Sequence, residues 1–264
     1  MAFGRFNHQT LHFRDENPAV GRTIVFANSL GTDFRIWDEV ATRLGGRWPM
    51  LRYDLRGHGL SDAPPAPYSI ADHVADLIAL LEARRIEQAL IVGLSVGGMV
   101  AQGLAAQRPD LARALVLCDT AHRIGTPDTW NARIEAIRKG GIASIADAIL
   151  ERWFSVRFRT TRQAELAGYR NMLTRTPVEG YIGTCAALRD ADLTAEARMI
   201  TQPTLCLVGE EDGATPPELV RSLSALVPRA AFEIIPNAAH LPCVERPDIL
   251  AARIEAFARE IMSA

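Results

Sequence analysis

The stretch Ala89-Leu-Ile-Val-Gly-Leu-Ser-Val-Gly-Gly98 decides the fold, because an apolar run is followed at once by a serine set among glycines. Ala89–Val92 has the length and the branched side chains of a buried strand, and Met99–Gln107 has a helical pattern. The chain must therefore turn sharply at Ser95. Side chains two positions before and two after the serine would collide in such a turn, which explains the glycines there.

Strand and helix patterns alternate along most of the remaining chain. We predict strands at Thr23–Ala27, Met50–Tyr53, Ala114–Leu117, Thr204–Val208 and Ala231–Ile235, and helices at Trp37–Leu44, Ile70–Arg84, Pro216–Leu226 and Pro247–Met262. This alternation is typical of an α/β fold with a parallel sheet that helices cover on both faces.

The alternation stops between residues 121 and 195, where the sequence predicts helices and no strand. Amphipathic segments lie around Trp130–Arg138, Ile142–Phe154, Arg162–Leu173 and Val178–Leu188. We therefore expect a core domain formed by residues 1–120 and 196–264. Residues 121–195 form a helical subdomain inserted into it, which we call the cap.

Composition excludes several classes of protein. The 264 residues are 48% hydrophobic and 23% charged, with a net charge of -2, which is ordinary for a globular chain and argues against a nucleic-acid or membrane partner. Met1–Asp15 lacks the apolar core of a secretory signal, and the apolar run Ala89–Ala101 is too short to span a bilayer. The four cysteines lack metal-site spacing, so we expect free thiols, a cytoplasmic location and no metal or organic cofactor.

Two further polar residues follow later strands. Asp212 lies directly after Thr204–Val208, and His240 lies in the loop between the last strand and the last helix. The order Ser95, Asp212, His240 is the chain order of one nucleophile–acid–base architecture. Asp119, also at a strand end, is a rival acid. Taken singly, a serine in a glycine turn or a histidine in a surface loop need have no chemical role.

The loop Asn28-Ser-Leu-Gly31 follows another strand. Its Leu30 N–H, together with the N–H of Val96 at the helix start, could bind a negatively charged oxygen beside the serine. The alternative is a simple Asx turn at Asn28.

At these residues the chain resembles the α/β-hydrolase fold superfamily. The match rests on the elbow Gly93–Gly98, the loop Asp54-Leu-Arg-Gly-His-Gly-Leu-Ser61 and the order of Ser95, Asp212 and His240. The resemblance implies a mostly parallel, eight-stranded sheet with a helical cap after the sixth strand. Many relatives carry His-Gly where this chain has Asn28-Ser29.

Phe26–Thr32, Arg152–Phe154 and Gly180–Ala187 are similar to segments of the 3-oxoadipate enol-lactonase family. That resemblance implies a serine hydrolase with a Ser-His-Asp triad that opens the enol-lactone to 3-oxoadipate in the β-ketoadipate pathway of aromatic degradation. The substrate would be a small anionic lactone and the protein a monomer or small homo-oligomer.

An anionic substrate calls for a cation in the cap. Arg133 is our candidate, with Trp130, Trp153 and Tyr181 as walls of the pocket; the alternatives are a solvated arginine and ordinary core aromatics. The cap carries 11 basic residues against 8 acidic ones, whereas the rest of the chain carries 18 against 23. The net positive charge of the cap suits a small substrate that carries a carboxylate.

Three other functions remain open. A general carboxylesterase would use the same three residues with a neutral pocket. A cofactor-free perhydrolase or haloperoxidase would form peracids from acetate and peroxide. A hydrolase-fold binding protein would retain its ligand without turnover.

Overall fold

A single eight-stranded sheet forms the centre of the protein. The computed structural model describes residues 1–16 and 23–262. The strands are β1 (Ala2–Phe6), β2 (Gln9–Glu16), β3 (Ile24–Ala27), β4 (Met50–Tyr53), β5 (Ala89–Leu94), β6 (Ala112–Cys118), β7 (Thr204–Gly209) and β8 (Ala230–Ile235). Their spatial order is β1-β2-β4-β3-β5-β6-β7-β8. β1 and β2 are antiparallel at one edge, and all pairings from β4 to β8 are parallel.

The central strands are mostly apolar because helices cover both faces of the sheet. Every residue of β3, β4, β5 and β7 is buried. The edge strand β8 is only partly covered, and Ile234 is exposed there. The predicted strands are confirmed, with ends that differ by one or two residues.

The described ranges contain twelve α-helices. They are α1 (Asp38–Leu44), α2 (Ile70–Ala83), α3 (Val96–Gln107), α4 (Pro127–Gly140), α5 (Ala146–Trp153), α6 (Val156–Thr161), α7 (Gln163–Thr174), α8 (Val178–Asp190), α9 (Thr194–Met199), α10 (Pro217–Leu226), α11 (Pro242–Glu245) and α12 (Pro247–Met262). α1 packs on α12, and α2 packs on α3. None of the helices in the described part of the chain is both long and apolar enough to cross a bilayer.

The helical insertion lies between β6 and β7, as the resemblance implied, and residues 121–195 contain no strand. Two short helices, α6 and α9, were not predicted because each has only six residues. The predicted segment Ile142–Phe154 divides into a 3-10 turn and α5, and Ser155 then caps α6 by accepting a hydrogen bond from the backbone N–H of Phe158.

The cap rests on the core through a contact between two glycines. A side-chain carbon on Gly57 would lie 2.4 Å from Cα of Gly180 in α8, so the two backbones touch. Gly57 also has φ +76°, which favours glycine. Beside this contact, the backbone N–H of Tyr68 donates to the carbonyl of Gly183, one turn further along α8 (3.2 Å).

Buried histidines lie at the same junction. His58 and His73 are fully buried, and His73 Nε2 lies 3.4 Å from the hydroxyl of Thr184 in α8. Burial lowers the pKa of His58 to about 4. Burial, with the neighbouring His58, lowers the pKa of His73 to about 3. Both imidazoles are therefore neutral at physiological pH.

Candidate active site

Ser95 occupies the sharp turn between β5 and α3. Its backbone has φ +55° and ψ -118°, a conformation rarely adopted by a residue with a side chain. Such strain is maintained only when neighbouring contacts fix it. Two of these contacts come from the end of β6: the N–H of Ser95 donates to the carbonyl of Cys118 (3.0 Å), and the Thr120 hydroxyl donates to the carbonyl of Ser95 (2.6 Å).

The glycines around Ser95 are required by close backbone contacts. A Cβ on Gly93 would lie 2.3 Å from the carbonyl oxygen of Gly97. A Cβ on Gly97 would lie 2.3 Å from the carbonyl oxygen of Ala27, at the end of β3. The collisions expected from the sequence are thus present, and the second one brings the loop after β3 against the start of α3.

That loop carries Leu30. The Asn28 side chain donates to the carbonyl of Thr32 (2.9 Å), and Thr32 donates back to the carbonyl of Ser29, which holds the loop in a tight turn. Within the described residues, the backbone N–H groups of Leu30 and Val96 have no hydrogen-bond acceptor. Two buried donors without an acceptor fit a site that receives a negatively charged oxygen from a ligand.

Asp212 and His240 are hydrogen-bonded. His240 Nδ1 lies 2.9 Å from Asp212 Oδ2, and both side chains are buried. Burial opposes ionisation of Asp212, but His240, the Thr215 hydroxyl and the Ala214 N–H together lower its pKa. The charged carboxylate therefore accepts from Nδ1–H, and this tautomer leaves Nε2 of His240 able to take a proton.

The loops that carry these two residues are joined by backbone contacts. A Cβ on Gly209 would lie 2.0 Å from the carbonyl oxygen of Ala239, and the N–H of Glu211 donates to the carbonyl of Ala238 (2.9 Å). Within the described chain, Ser95 Oγ makes no hydrogen bond to His240. Hydrogen bonds of this kind often tighten only when substrate binds.

Asp119, the rival acid, also lies at this end of the sheet. Three polar atoms lie within 4.8 Å of one another there, one each from Asp119, Asp212 and His240. His240 is nevertheless bonded to Asp212. We assign no metal site to this group, because His240 and Asp212 are hydrogen-bonded to each other.

Two cap residues proposed from the sequence lie over the Leu30 loop. A Cβ on Gly31 would lie 2.9 Å from Cε2 of Tyr181 and 3.4 Å from Cζ2 of Trp153. Both aromatic side chains are buried, as is Trp130, whose indole N–H donates to the carbonyl of Ile124 (2.7 Å).

Arg133 is a half-buried cation in the same region. Its guanidinium lies 4.8 Å from the centre of the Trp130 ring, and its positive charge counteracts the rise in the pKa of Tyr181 that burial causes. No ion pair joins it to a carboxylate in the described chain. Four of the nine other cap arginines do form such pairs: Arg138 with Glu135, Arg162 with Glu165, Arg170 with Asp147, and Arg189 with Asp190.

A cavity of about 920 Å³ opens between α7 and the turn that precedes α1. Its lining includes Tyr169 of α7, and also Thr32 and Cys243, which closely follow Leu30 and His240 in the sequence. Ser95 is not part of the lining. We therefore regard it as a groove beside the site.

Sequence reasoning missed two residues that hold the site together. Thr215 donates its hydroxyl to Asp212 (2.6 Å). Glu245 accepts hydrogen bonds from the Ser155 hydroxyl in the cap (2.5 Å) and from the N–H of Ala239, beside His240 (2.9 Å). Thr215 lies in the loop that the sequence singled out, whereas Glu245 carries no local signal.

The fold and the site define the class of the protein. The alpha/beta hydrolase family model matches residues 24–253, and the chain belongs to that family. It is 31% identical to 3-oxoadipate enol-lactonase 2 of Acinetobacter baylyi over 233 residues, which cover 88% of this chain and 87% of the relative.

Solved structures of hydrolases show the same fold. The enol-lactonase from Burkholderia xenovorans LB400 matches with a TM-score of 0.93 and 35% identity, covering 97% of this chain and 99% of the other. A thermophilic esterase from Thermogutta terrifontis, solved with malate bound, matches with a TM-score of 0.91 and 26% identity over 98% of both chains. The resemblance seen in the sequence is confirmed.

Proposed function

We propose that this hydrolase cleaves a lactone or ester through a covalent intermediate on Ser95, with His240 as the base and Asp212 as its partner. The observation that carries the proposal is the buried His240–Asp212 hydrogen bond at the same sheet edge as a strained serine. A histidine whose Nδ1–H is fixed by a carboxylate is suited to accept a proton on Nε2.

In the first half-reaction, Ser95 Oγ attacks the carbonyl carbon and its proton passes to Nε2 of His240. The carbonyl oxygen becomes negatively charged and accepts hydrogen bonds from the N–H groups of Leu30 and Val96. Each such donor is worth about 3 kcal/mol of transition-state stabilisation. Cleavage of the ring C–O bond leaves an acyl-serine, and His240 returns its proton to the leaving oxygen.

The second half-reaction repeats these roles with water. His240 removes a proton from water as the oxygen attacks the acyl carbon, and Ser95 leaves with the proton returned by His240. If the leaving oxygen is that of an enol, the product relaxes to a ketone. No group beyond the chain and water enters these steps.

As the specific substrate we propose 3-oxoadipate enol-lactone, which places the enzyme in the β-ketoadipate pathway. Similarity to two enol-lactonases supports this choice. So does Arg133, a half-buried guanidinium that has no carboxylate partner in the described residues and lies over the Trp130 ring, because the lactone carries a carboxylate. The four buried free thiols fit a cytoplasmic location.

A general carboxylesterase is the second candidate. The related Thermogutta terrifontis protein is an esterase, and three of the four proposed pocket residues are aromatic. A neutral ester would need no cation, so the two candidates differ in their dependence on substrate charge.

A substrate panel on wild type and Ser95→Ala tests the proposal. We expect the carboxylated enol-lactone to be hydrolysed with a higher kcat/KM than neutral lactones and aryl esters, and we expect Ser95→Ala to reduce every rate by at least about a thousandfold. Faster turnover of neutral esters would support the carboxylesterase. Peracid formation as the fastest reaction would indicate a perhydrolase, and binding without turnover would indicate a ligand-binding protein.

A further inference from the structure

A second carboxyl group lies beside the His240–Asp212 pair. Asp119 directly follows β6 and is completely buried. Its Oδ1 accepts a hydrogen bond from the backbone N–H of Gly209 (2.8 Å), and its own N–H donates to the carbonyl of Leu207 (2.9 Å). Both bonds fasten Asp119 to the end of β7, the strand that leads to Asp212.

The backbone of Asp119 is held in an uncommon conformation. Its φ is +46°, a value that residues with side chains seldom adopt. Strain of this kind occurs mainly where a side chain has to be aimed at a functional group. Here the result is a polar atom of Asp119 within 4.8 Å of Asp212 and His240.

The two carboxyl groups differ sharply in their hydrogen-bond partners. Asp212 accepts four hydrogen bonds: the N–H groups of Ala214 and Thr215 reach Oδ1, and the Thr215 hydroxyl and His240 Nδ1 reach Oδ2. Oδ1 of Asp119 accepts one. Oδ2 of Asp119 is buried and has no donor within the described residues. A carboxylate that accepts several bonds retains its charge, whereas an unsolvated one is favoured as the neutral acid.

Among the described residues, the groups that act electrostatically on Asp119 include no arginine or lysine. They are Asp212 after β7, His240 after β8, Cys118 on β6, and Cys243 and Glu245 on α11. Burial raises the pKa of Asp119, and the negative charge of Asp212 raises it further.

We propose that Asp119 is a positioning residue of the site: it is a neutral carboxylic acid whose Oδ2–H donates to the Asp212 carboxylate. Two adjacent buried carboxyl groups then share one negative charge, as like charges at this separation require. The donated bond satisfies Oδ2, fixes the plane of Asp212 and so orients His240. The effect of Asp119 on catalysis rests on the proposed function, whereas the protonation state of Asp119 does not.

The first experiment measures unfolding and uses no substrate. Wild type and Asp119→Asn are unfolded in urea between pH 5 and 6.5, with Asp128→Asn, an exposed acid of α4, as the control for loss of one carboxylate. A carboxyl group that is neutral when folded and ionised when unfolded makes the wild type less stable as pH rises.

We therefore expect the unfolding constant of wild type, divided by that of Asp119→Asn, to rise about tenfold per pH unit. A ratio that is flat or falls overturns the proposal. If Asp119→Asn does not fold, Asp119→Ser gives the same ratio.

The second experiment follows kcat/KM for p-nitrophenyl acetate against pH in wild type, Asp119→Asn and Asp119→Ala. The amide of Asp119→Asn can still donate to Asp212. We therefore expect the acid limb of its pH profile to lie within about 0.3 pH unit of the wild-type limb. We expect Asp119→Ala to lose about tenfold in kcat with KM within about twofold, because the donor is absent.

Two results overturn the proposal. A downward shift of the acid limb by about one pH unit or more in Asp119→Asn shows that Asp119 was charged. An unchanged kcat in Asp119→Ala shows that it positions nothing. Full activity of Ser95→Ala contradicts the proposed function instead, and the unfolding experiment then decides the state of Asp119 by itself.

Discussion

The backbone carbonyl of Trp153, at the end of α5 in the cap, accepts a hydrogen bond from the backbone N–H of Leu241 (3.3 Å). Leu241 directly follows His240. Glu245 adds a second link by joining Ser155 to Ala239, the residue on the other side of His240. The cap and the histidine loop are therefore connected on both sides of the imidazole.

Removal of the Glu245 carboxylate tests this connection. Glu245→Ala leaves buried donors on Ser155 and Ala239 without an acceptor, so we expect a loss of about 1–3 kcal/mol in the free energy of unfolding. Because the loop of His240 is then less well fixed, we expect kcat for an aryl ester to fall about tenfold. Glu210→Ala is the control, since its exposed carboxylate accepts from Asn237 in the same loop. Equal effects of the two substitutions contradict the prediction.

The contact between Gly57 and Gly180 predicts a large cost for a single methyl group. Gly57→Ala places Cβ 2.4 Å from Cα of Gly180 at a positive φ, so we expect a loss of about 2 kcal/mol or more, measured as a lower Tm. Gly168→Ala in α7 is the matched control. Its Cβ would meet nothing within 4 Å, and we expect a gain of up to about 1 kcal/mol in helix stability.

His73 predicts a specific dependence of stability on pH. Its pKa is about 3 when folded and about 6.5 when unfolded, so the unfolded chain binds more protons between these values. Stability is therefore complete above about pH 6.5 and decreases as pH falls below it. We measure the unfolding constant in urea titrations from pH 6.5 to 4.5. His73→Asn removes one titrating group, so we expect the rise of that constant with falling pH to be smaller by about tenfold per pH unit than in wild type. An unchanged slope means that His73 is not the titrating group.

Arg133 predicts a selective change in substrate binding. We expect Arg133→Ala to raise KM for the carboxylated enol-lactone about tenfold or more while leaving KM for a neutral aryl ester within about twofold. Arg138→Ala, on an exposed part of the same helix and paired with Glu135, controls for the loss of one positive charge. If both variants raise KM for the lactone equally, the effect comes from the field of the cap as a whole.

Local patterns in the sequence were sufficient to predict the six strands β3 to β8 and the turn at Ser95, but not the antiparallel strands β1 and β2. The central strands are largely runs of branched residues with both faces buried. The requirement for Gly93 and Gly97 follows from the geometry of any tight strand-to-helix turn. Ser95, Asp212 and His240 each follow a predicted strand, and they were expected at the same edge of the sheet because parallel strands end together.

Contacts between distant segments could not be predicted in this way. Glu245 lies 90 residues from Ser155, and neither residue carries a pattern that points to the other. Asp119 could be identified only as a rival to Asp212, because its distance from Asp212 and the lack of a donor at Oδ2 depend on how β6 and β7 pair. The short helix α6 was missed because six residues are too few for a clear periodicity.

The two touching glycines under α8 have a consequence for how the pocket can change. A separation between two backbones cannot be adjusted by choosing another rotamer or a slightly larger side chain at either position, so the height of the cap above Gly57 is fixed by the fold. The proposed walls of the pocket, Trp130, Trp153 and Tyr181, are side chains and can be exchanged. An engineer who wants a different substrate should therefore alter the walls and keep both glycines.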